Sequence, residues 1–159
     1  WYAGTSADAA CMPFVATIEA AASGALDDHP AWSARPDGDF ARVILFDQLA
    51  RNCFRGTPRA YAFDDAALDI SRRLCADENI IATAHPAVVH FLTSPLMHSE
   101  TLADHDMASC CHVVAAASGL PFTISQTKAS PRVLSGTVVS PWTHSPLMTP
   151  TSPARRAAP

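Results

Sequence analysis

Phe46-Asp47-Gln48-Leu49-Ala50-Arg51-Asn52-Cys53-Phe54-Arg55-Gly56-Thr57 closes a strongly apolar helical run by crowding acid, amide and guanidinium groups together. Asp47 follows Ile44 by three positions and Phe40 by seven, so on a 3.6-residue period it faces the buried side of its helix. Arg51 sits one turn later, at the i,i+4 spacing where side chains meet, and Gln48 and Asn52 form a second such pair. A buried carboxylate without a charged partner costs several kcal/mol, so the block reads first as an Asp47–Arg51 bridge whose amide neighbours tie adjacent helices together. It reads second as a ligand site, with Arg51 and Arg55 forming a fork for a carboxylate or phosphate, because guanidinium groups bind such groups bidentately.

Outward from this block the chain reads as helices. Asp8 can cap a first helix to about Ser23, with Val15, Ile18 and Ala22 on one face and the left-handed Gly24 ending it. Pro13 fits only within its first turn or so. Residues 25–36 read as a loop pinned by Trp32. The second helix starts near Asp37 or Asp39 and runs to about Asn52, where Gly56-Thr57-Pro58 breaks the chain. A third covers roughly 64–76, with Asp64 as its cap and Leu68 and Ile70 inward. A fourth covers about 85–94, with Ser94-Pro95 marking a break or the start of a new first turn, and a fifth about 98–118, ended by Gly119. No period-two pattern precedes residue 119, so the expected class is all-α with about five helices.

The 159 residues allow one domain with a real core, or a smaller domain and a tail. Residues 1–118 hold seven Arg against fifteen acids, a formal −8, whereas 119–159 hold four cations and no acid. An acidic folded part argues against nucleic-acid binding. Five cysteines without a Cys-x-x-Cys suggest neither a disulfide framework nor a zinc knuckle, and point to a reducing, intracellular setting, the cytoplasm first. No apolar run approaches the ~20 residues that span a bilayer, so no membrane partner is expected. The chain starts at Trp1 rather than Met, so a leader segment and an organelle address stay open. Beyond Gly119 seven prolines alternate with Ser and Thr, which predicts a disordered tail over 119–159 behind a helical domain over 1–118. Its Ser-Pro and Thr-Pro pairs leave a phosphorylation segment or a docking peptide as alternatives.

Three blocks resemble the bacterial family called domain of unknown function 924: Gly24-Ala25-Leu26-Asp27-Asp28; Asp47-Gln48 with Arg51-Asn52, Arg55-Gly56-Thr57, Arg59-Ala60-Tyr61-Ala62 and Asp64; and Pro95 with His98-Ser99-Glu100, Leu102 and Asp104. Trp1-Tyr2-Ala3-Gly4 is similar to the family's opening aromatic-Gly motif. The resemblance implies a tetratricopeptide-like antiparallel helical array and no known activity. Leu49-Ala50 stands where the family has Phe-Pro, and His105 where it has Gln. The family's later Gly-Arg-Phe-Pro-His-Arg-Asn-like block has no counterpart after about residue 118. The expectation is a shortened member whose uncovered C-terminal face can self-associate, since a helical array exposes an apolar face wherever a repeat is removed.

His98, Glu100 and Asp104 make the second polar cluster and the candidate catalytic set. Glu100 and Asp104 lie one turn apart, suited to a cation or a carboxylate pair. His98, His105 and His112 recur every seven residues, so neighbours on one helix would stand ~10.5 Å apart, too far for two of them to ligate one metal. No metal and no cofactor are therefore expected. Ser99 between His98 and Glu100 cannot assemble a triad with them on one helix. Cys53 occupies a slot that resembles an apolar one in the family, which implies packing, and Cys110-Cys111 lacks a positive neighbour other than His112. Two functions follow. The first is a soluble binding or interaction module, for a protein or a small anion, with a polar seam of Asp47, Gln48, Arg51, Asn52, Arg55, His98 and Glu100 where the second helix meets the fifth. The second is a hydrolase whose Arg51 and Arg55 hold an anionic substrate while His98 or Glu100 moves protons.

Overall fold

A computed structural model describes residues 5–33, 35–117 and 119. The expected tail and the Trp1-Tyr2-Ala3-Gly4 motif lie outside these residues. The chain is all-α, with no strand among the described residues. Helix α1 (Thr5–Cys11) continues through a 3-10 turn (Met12–Phe14) into α2 (Val15–Ala22). Pro13 sits inside that turn, where the tighter winding absorbs its missing N–H. Asp8 is thus inside the helix rather than its cap. Gly24 takes φ 77° and ends the rod, as the sequence predicts.

The loop that follows holds a short helix, α3 (Pro30–Ser33). Next comes a second rod of α4 (Asp37–Val43), a π segment (Ile44–Leu49) and α5 (Ala50–Cys53). Val43, Leu45, Phe46 and Leu49 are buried along it, which explains why its apolar residues cover more than a stripe. Gly56 at φ 78° and a 3-10 turn (Pro58–Tyr61) lead to α6 (Asp64–Cys75). Asp64 and Asp65 open α6 and Arg72 and Arg73 close it, each pair matched to the helix dipole. Asp64 is not a cap: the residue before α6 is Phe63, and no side chain caps there.

A six-residue helix, α7 (Glu78–Thr83), escapes the sequence reading because it is too short for a periodic signal; Asp77 caps it by accepting from the N–H groups of Asn79 and Ile80 at 3.0 and 3.3 Å. Helix α8 (Pro86–His98) does not stop at Ser94-Pro95 as expected. An interior proline costs about 3 kcal/mol. Leu96, beyond it, is fully buried together with Leu92 and Val89, and burying each such side chain stabilises by about 1.5–3 kcal/mol. Continuing the helix keeps Leu96 in the core and carries His98 onward. Helix α9 (Leu102–Ala117) starts four residues later than predicted and ends before Gly119, at φ 70°. Helix α8 packs against α9 and α6, and α6 against α4, around a core that also holds Ile18, Ile81 and Ala108. Among the described residues no helix is long and apolar enough to cross a membrane.

Candidate functional site

The π segment places Asp47 on the inner face of its rod, 1% exposed, opposite the end of α8. Single π turns recur at functional positions because they re-aim a few side chains. Asp47 Oδ1 lies 2.8 Å from His98 Nδ1 and 3.4 Å from Arg51 Nη2, and its Oδ2 accepts from Gln48 Nε2 at 2.5 Å. Gln48 also donates to Ser94 Oγ at 3.1 Å, across to α8. Burial pushes the Asp47 carboxyl up, but hydrogen bonds with His98, Ser94 and Gln48 and the charge of His98 outweigh it, and the net shift is downward. An ionised Asp47 accepts only, so His98 Nδ1 carries the proton and donates to it. Arg51 Nη2, 3.1 Å from the same Nδ1, is then in contact without a hydrogen bond.

The other ring nitrogen of His98, Nε2, makes no hydrogen bond among the described residues, on a side chain 44% exposed.

The two arginines meet different partners. Arg51 Nη2 donates to both oxygens of Asp64 at 3.2 and 3.1 Å, and the guanidinium lies over Tyr61, 5.0 Å from the ring centroid. Arg55 Nε donates to Asp8 at 3.0 and 2.8 Å, and its Nη2 donates to Asn52 Oδ1 at 2.6 Å. Arg51 is engaged through Nη2 by Asp47 and Asp64, and Arg55 through Nε by Asp8, so the two guanidinium groups are held by different carboxylates. Gln48 and Asn52 do not pair through their side chains either: Asn52 Nδ2 donates to the Gln48 backbone carbonyl at 3.0 Å, inside the π segment. Burial of Asp64 pushes its carboxyl up, and although Arg51 opposes this by charge and hydrogen bond, the net shift is upward.

The second cluster divides. Asp104, 4% exposed, takes a bidentate pair from Arg72 at 2.8 Å each and a hydrogen bond from Ser99 Oγ at 2.5 Å. Arg72 first and Ser99 second hold its carboxyl down at about 2. Asp104 is therefore a clasp between α6 and α9 and not a partner of Glu100. The three histidines do not share a helix: His98 ends α8, while His105 and His112 lie on α9. The break is built by Ser99, whose Oγ accepts from the Thr101 N–H at 3.1 Å and whose carbonyl accepts from His105 Nε2 at 2.6 Å. The seam therefore joins the second rod to α8 and not to the fifth helix of the sequence reading.

What remains around His98 is an open cleft of about 270 Å³, lined by Asp47, Asp64, Asp65, His98, Ser99 and Glu100 over Leu68 and Pro95. Among its charged lining residues four are carboxylates and none is an arginine. Among the described residues no three metal-ligating side chains converge. Asp65 and the contact of Asp64 with Arg51 escape the sequence reading, since α6 meets the second rod only in three dimensions. Elsewhere Cys53 donates to the Cys11 carbonyl at 3.1 Å and burial pushes its thiol up, as a packing residue requires. Cys110 is exposed while Cys111 turns inward to Cys75, so these neighbours diverge.

A family model described as "Bacterial protein of unknown function (DUF924)" matches residues 1–123. Searches among curated proteins and among solved structures returned no match.

Proposed function

The chain belongs to this bacterial family of unknown function, and we propose that its domain is a binding module whose acidic cleft accepts a cationic group, an ammonium or guanidinium carried by a small ligand. The observation that carries this is the charge of the lining. Asp65 and Glu100 stand exposed at the cleft, Asp64 has acceptor capacity beyond its single Arg51 contact, and Asp47 lies ionised beneath. Low-dielectric walls lined with one sign of charge concentrate the opposite sign. The arginines that would have reversed this balance are engaged by Asp8, Asp47 and Asp64.

Calorimetric titration with agmatine, which carries both a guanidinium and an ammonium, tests the proposal. Saturable binding should weaken in Glu100→Gln and Asp65→Asn, two exposed positions whose loss leaves the core intact. Failure of agmatine to saturate, or agmatine binding left unchanged in both variants, would defeat the reading.

A second reading rests on His98. Its Nδ1 is bound to a buried carboxylate, the arrangement that orients a general base. A hydrolase built on it would use Nε2 to activate water, with its substrate held without Arg51 or Arg55. Hydrolysis that survives unchanged in His98→Gln would end that reading.

A further inference from the structure

A second cavity, of about 420 Å³, lies between the turn after α2, helix α4 and the end of α6, and it has the opposite character. Asp39, 4% exposed, forms its floor. Three guanidinium groups approach that carboxylate: Arg35 Nη1 at 3.1 Å, Arg73 Nη2 at 3.8 Å and Arg42 Nη1 at 3.9 Å. Arg42 is committed elsewhere. Its Nη1 donates to the Trp32 carbonyl and its Nη2 to Asp27, both at 2.7 Å, and its side chain is only 12% exposed. Arg35 and Arg73 differ: each touches Asp39 at ion-pair distance, and neither makes a hydrogen bond to the protein among the described residues. Their side chains are 69% and 51% exposed.

One carboxylate cannot saturate two guanidinium groups, each with five N–H donors in a planar fork. The cavity holds three arginines against Asp27 and Asp39, a surplus of one positive charge inside a domain whose residues 1–118 carry a formal −8. Its wall is also tightly built. A Cβ at Gly38 would stand 2.1 Å from the Trp32 carbonyl oxygen, so the Trp32 turn is pressed directly on α4, and Arg42 fastens it from the other side. Asp39 thus serves to hold Arg35 and Arg73 over the opening with their outer donors facing solvent.

We propose that this cavity binds a small oxyanion, the carboxylate or phosphate group of a soluble metabolite, gripped between Arg35 and Arg73 with Trp32 as its apolar wall. Guanidinium forks match the paired oxygens of both groups, and charge-assisted bonds are about twice as strong as neutral ones. Spacing in the sequence points to Arg51 and Arg55 for an anion; those two hydrogen-bond to Asp47, Asp64 and Asp8, whereas Arg35 and Arg73 meet only the single carboxylate of Asp39.

Titration of the full chain at low ionic strength with inorganic phosphate and, separately, with succinate tests this by amide shifts in an NMR spectrum. Either anion should saturate, with a dissociation constant on the order of 1 mM. The shifts should centre on Trp32, Asp39 and Arg73. Phosphate alone, succinate alone, or mutual displacement each supports the site and names the oxyanion it prefers. Arg35→Gln and Arg73→Gln should each weaken binding about tenfold, the loss of one charge-assisted contact. Arg59→Gln, an exposed arginine elsewhere paired with Glu19, should leave it unchanged. Failure of both anions to saturate, or equal weakening in Arg59→Gln, would overturn the proposal. Because the Arg35 and Arg73 heads are exposed, both variants should keep the wild-type melting temperature, so their affinities decide the matter.

Discussion

Replacing Asp47 by Asn keeps the shape of the buried side chain and removes its charge. Asp47 accepts from His98 at 2.8 Å, from Gln48 at 2.5 Å and, at longer range, from Arg51 at 3.4 Å. A hydrogen bond to a charged acceptor is worth about 1.5–3 kcal/mol and a neutral one about 1, so neutralisation gives up roughly 1 kcal/mol at His98 and less at Arg51. The new amide N–H must also face Gln48 Nε2, donor against donor, for about 1 kcal/mol more. His98 and Arg51 are 44% and 25% exposed, and water screens part of the loss. The expected destabilisation at neutral pH is therefore about 2 kcal/mol, the lower end of that sum. In urea the midpoint should fall by about 1 M, and the melting temperature by about 8 °C.

The penalty should also depend on pH in one direction. Asp47 holds its proton less tightly in the folded chain than in the unfolded one. Its contribution is fully present above an unfolded carboxyl value of about 4 and is lost as pH falls through the lowered folded value. Wild type and Asp47→Asn should thus converge in acid. A melting temperature within about 2 °C of wild type at pH 7, or a difference that persists unchanged below pH 3, would refute the bridge.

Gly38→Ala forces a Cβ to 2.1 Å from the Trp32 carbonyl oxygen and 2.6 Å from its carbon, so the turn must move; the overpacking should cost about 1–3 kcal/mol in chemical denaturation and shift the Trp32 fluorescence. Asp104, held down at about 2 by Arg72 and then Ser99, should keep α6 clasped to α9 well into acid, with its contribution present above about pH 4 and lost toward pH 2. Asp104→Asn should lower the urea midpoint at pH 7 and lose that acid-limb dependence, which denaturation at several pH values would read. Helix α9 leaves Leu102 and Val113 75% and 70% exposed, and the self-association expected of an uncovered face should appear there. Sedimentation equilibrium should then show a concentration-dependent dimer that Val113→Asp abolishes, whereas a monomer at every concentration would sink the expectation.

Particular residues show how far the sequence reaches. The burial of Asp47 is legible because it keeps step with Ile44 and Phe40 on a helical period, and Gly24 and Gly119 are legible because only a left-handed residue ends those helices cleanly. The Asp47–Arg51 contact follows from spacing alone. What spacing cannot supply is the partner from a distant segment: Asp8 for Arg55, Asp64 for Arg51 and Arg72 for Asp104 are 47, 13 and 32 residues apart. These long-range partners set Arg51 and Arg55 on different carboxylates. The break that separates His98 from His105 left a usable signal, since Thr101-Leu102-Ala103-Asp104 fits the Ser/Thr-x-x-Asp/Glu pattern of a helix start. At Pro95 burial of Leu96 outweighs the local preference to stop. Arg35 stands at i,i+4 spacing from Asp39, but Arg73 comes from 34 residues further along the chain, and the cavity exists only where the Trp32 turn, α4 and α6 meet.

The central claim is that the cleft at His98 selects cations because its charged lining holds four carboxylates and no arginine. It is tested most directly by following the His98 imidazole and the Glu100 amide by NMR during titrations with agmatine and with succinate. The account predicts saturable shifts at both groups with agmatine, abolished in Glu100→Gln, and none there with succinate. Saturable shifts at His98, Arg51 and Arg55 with succinate, and none with agmatine, would contradict it.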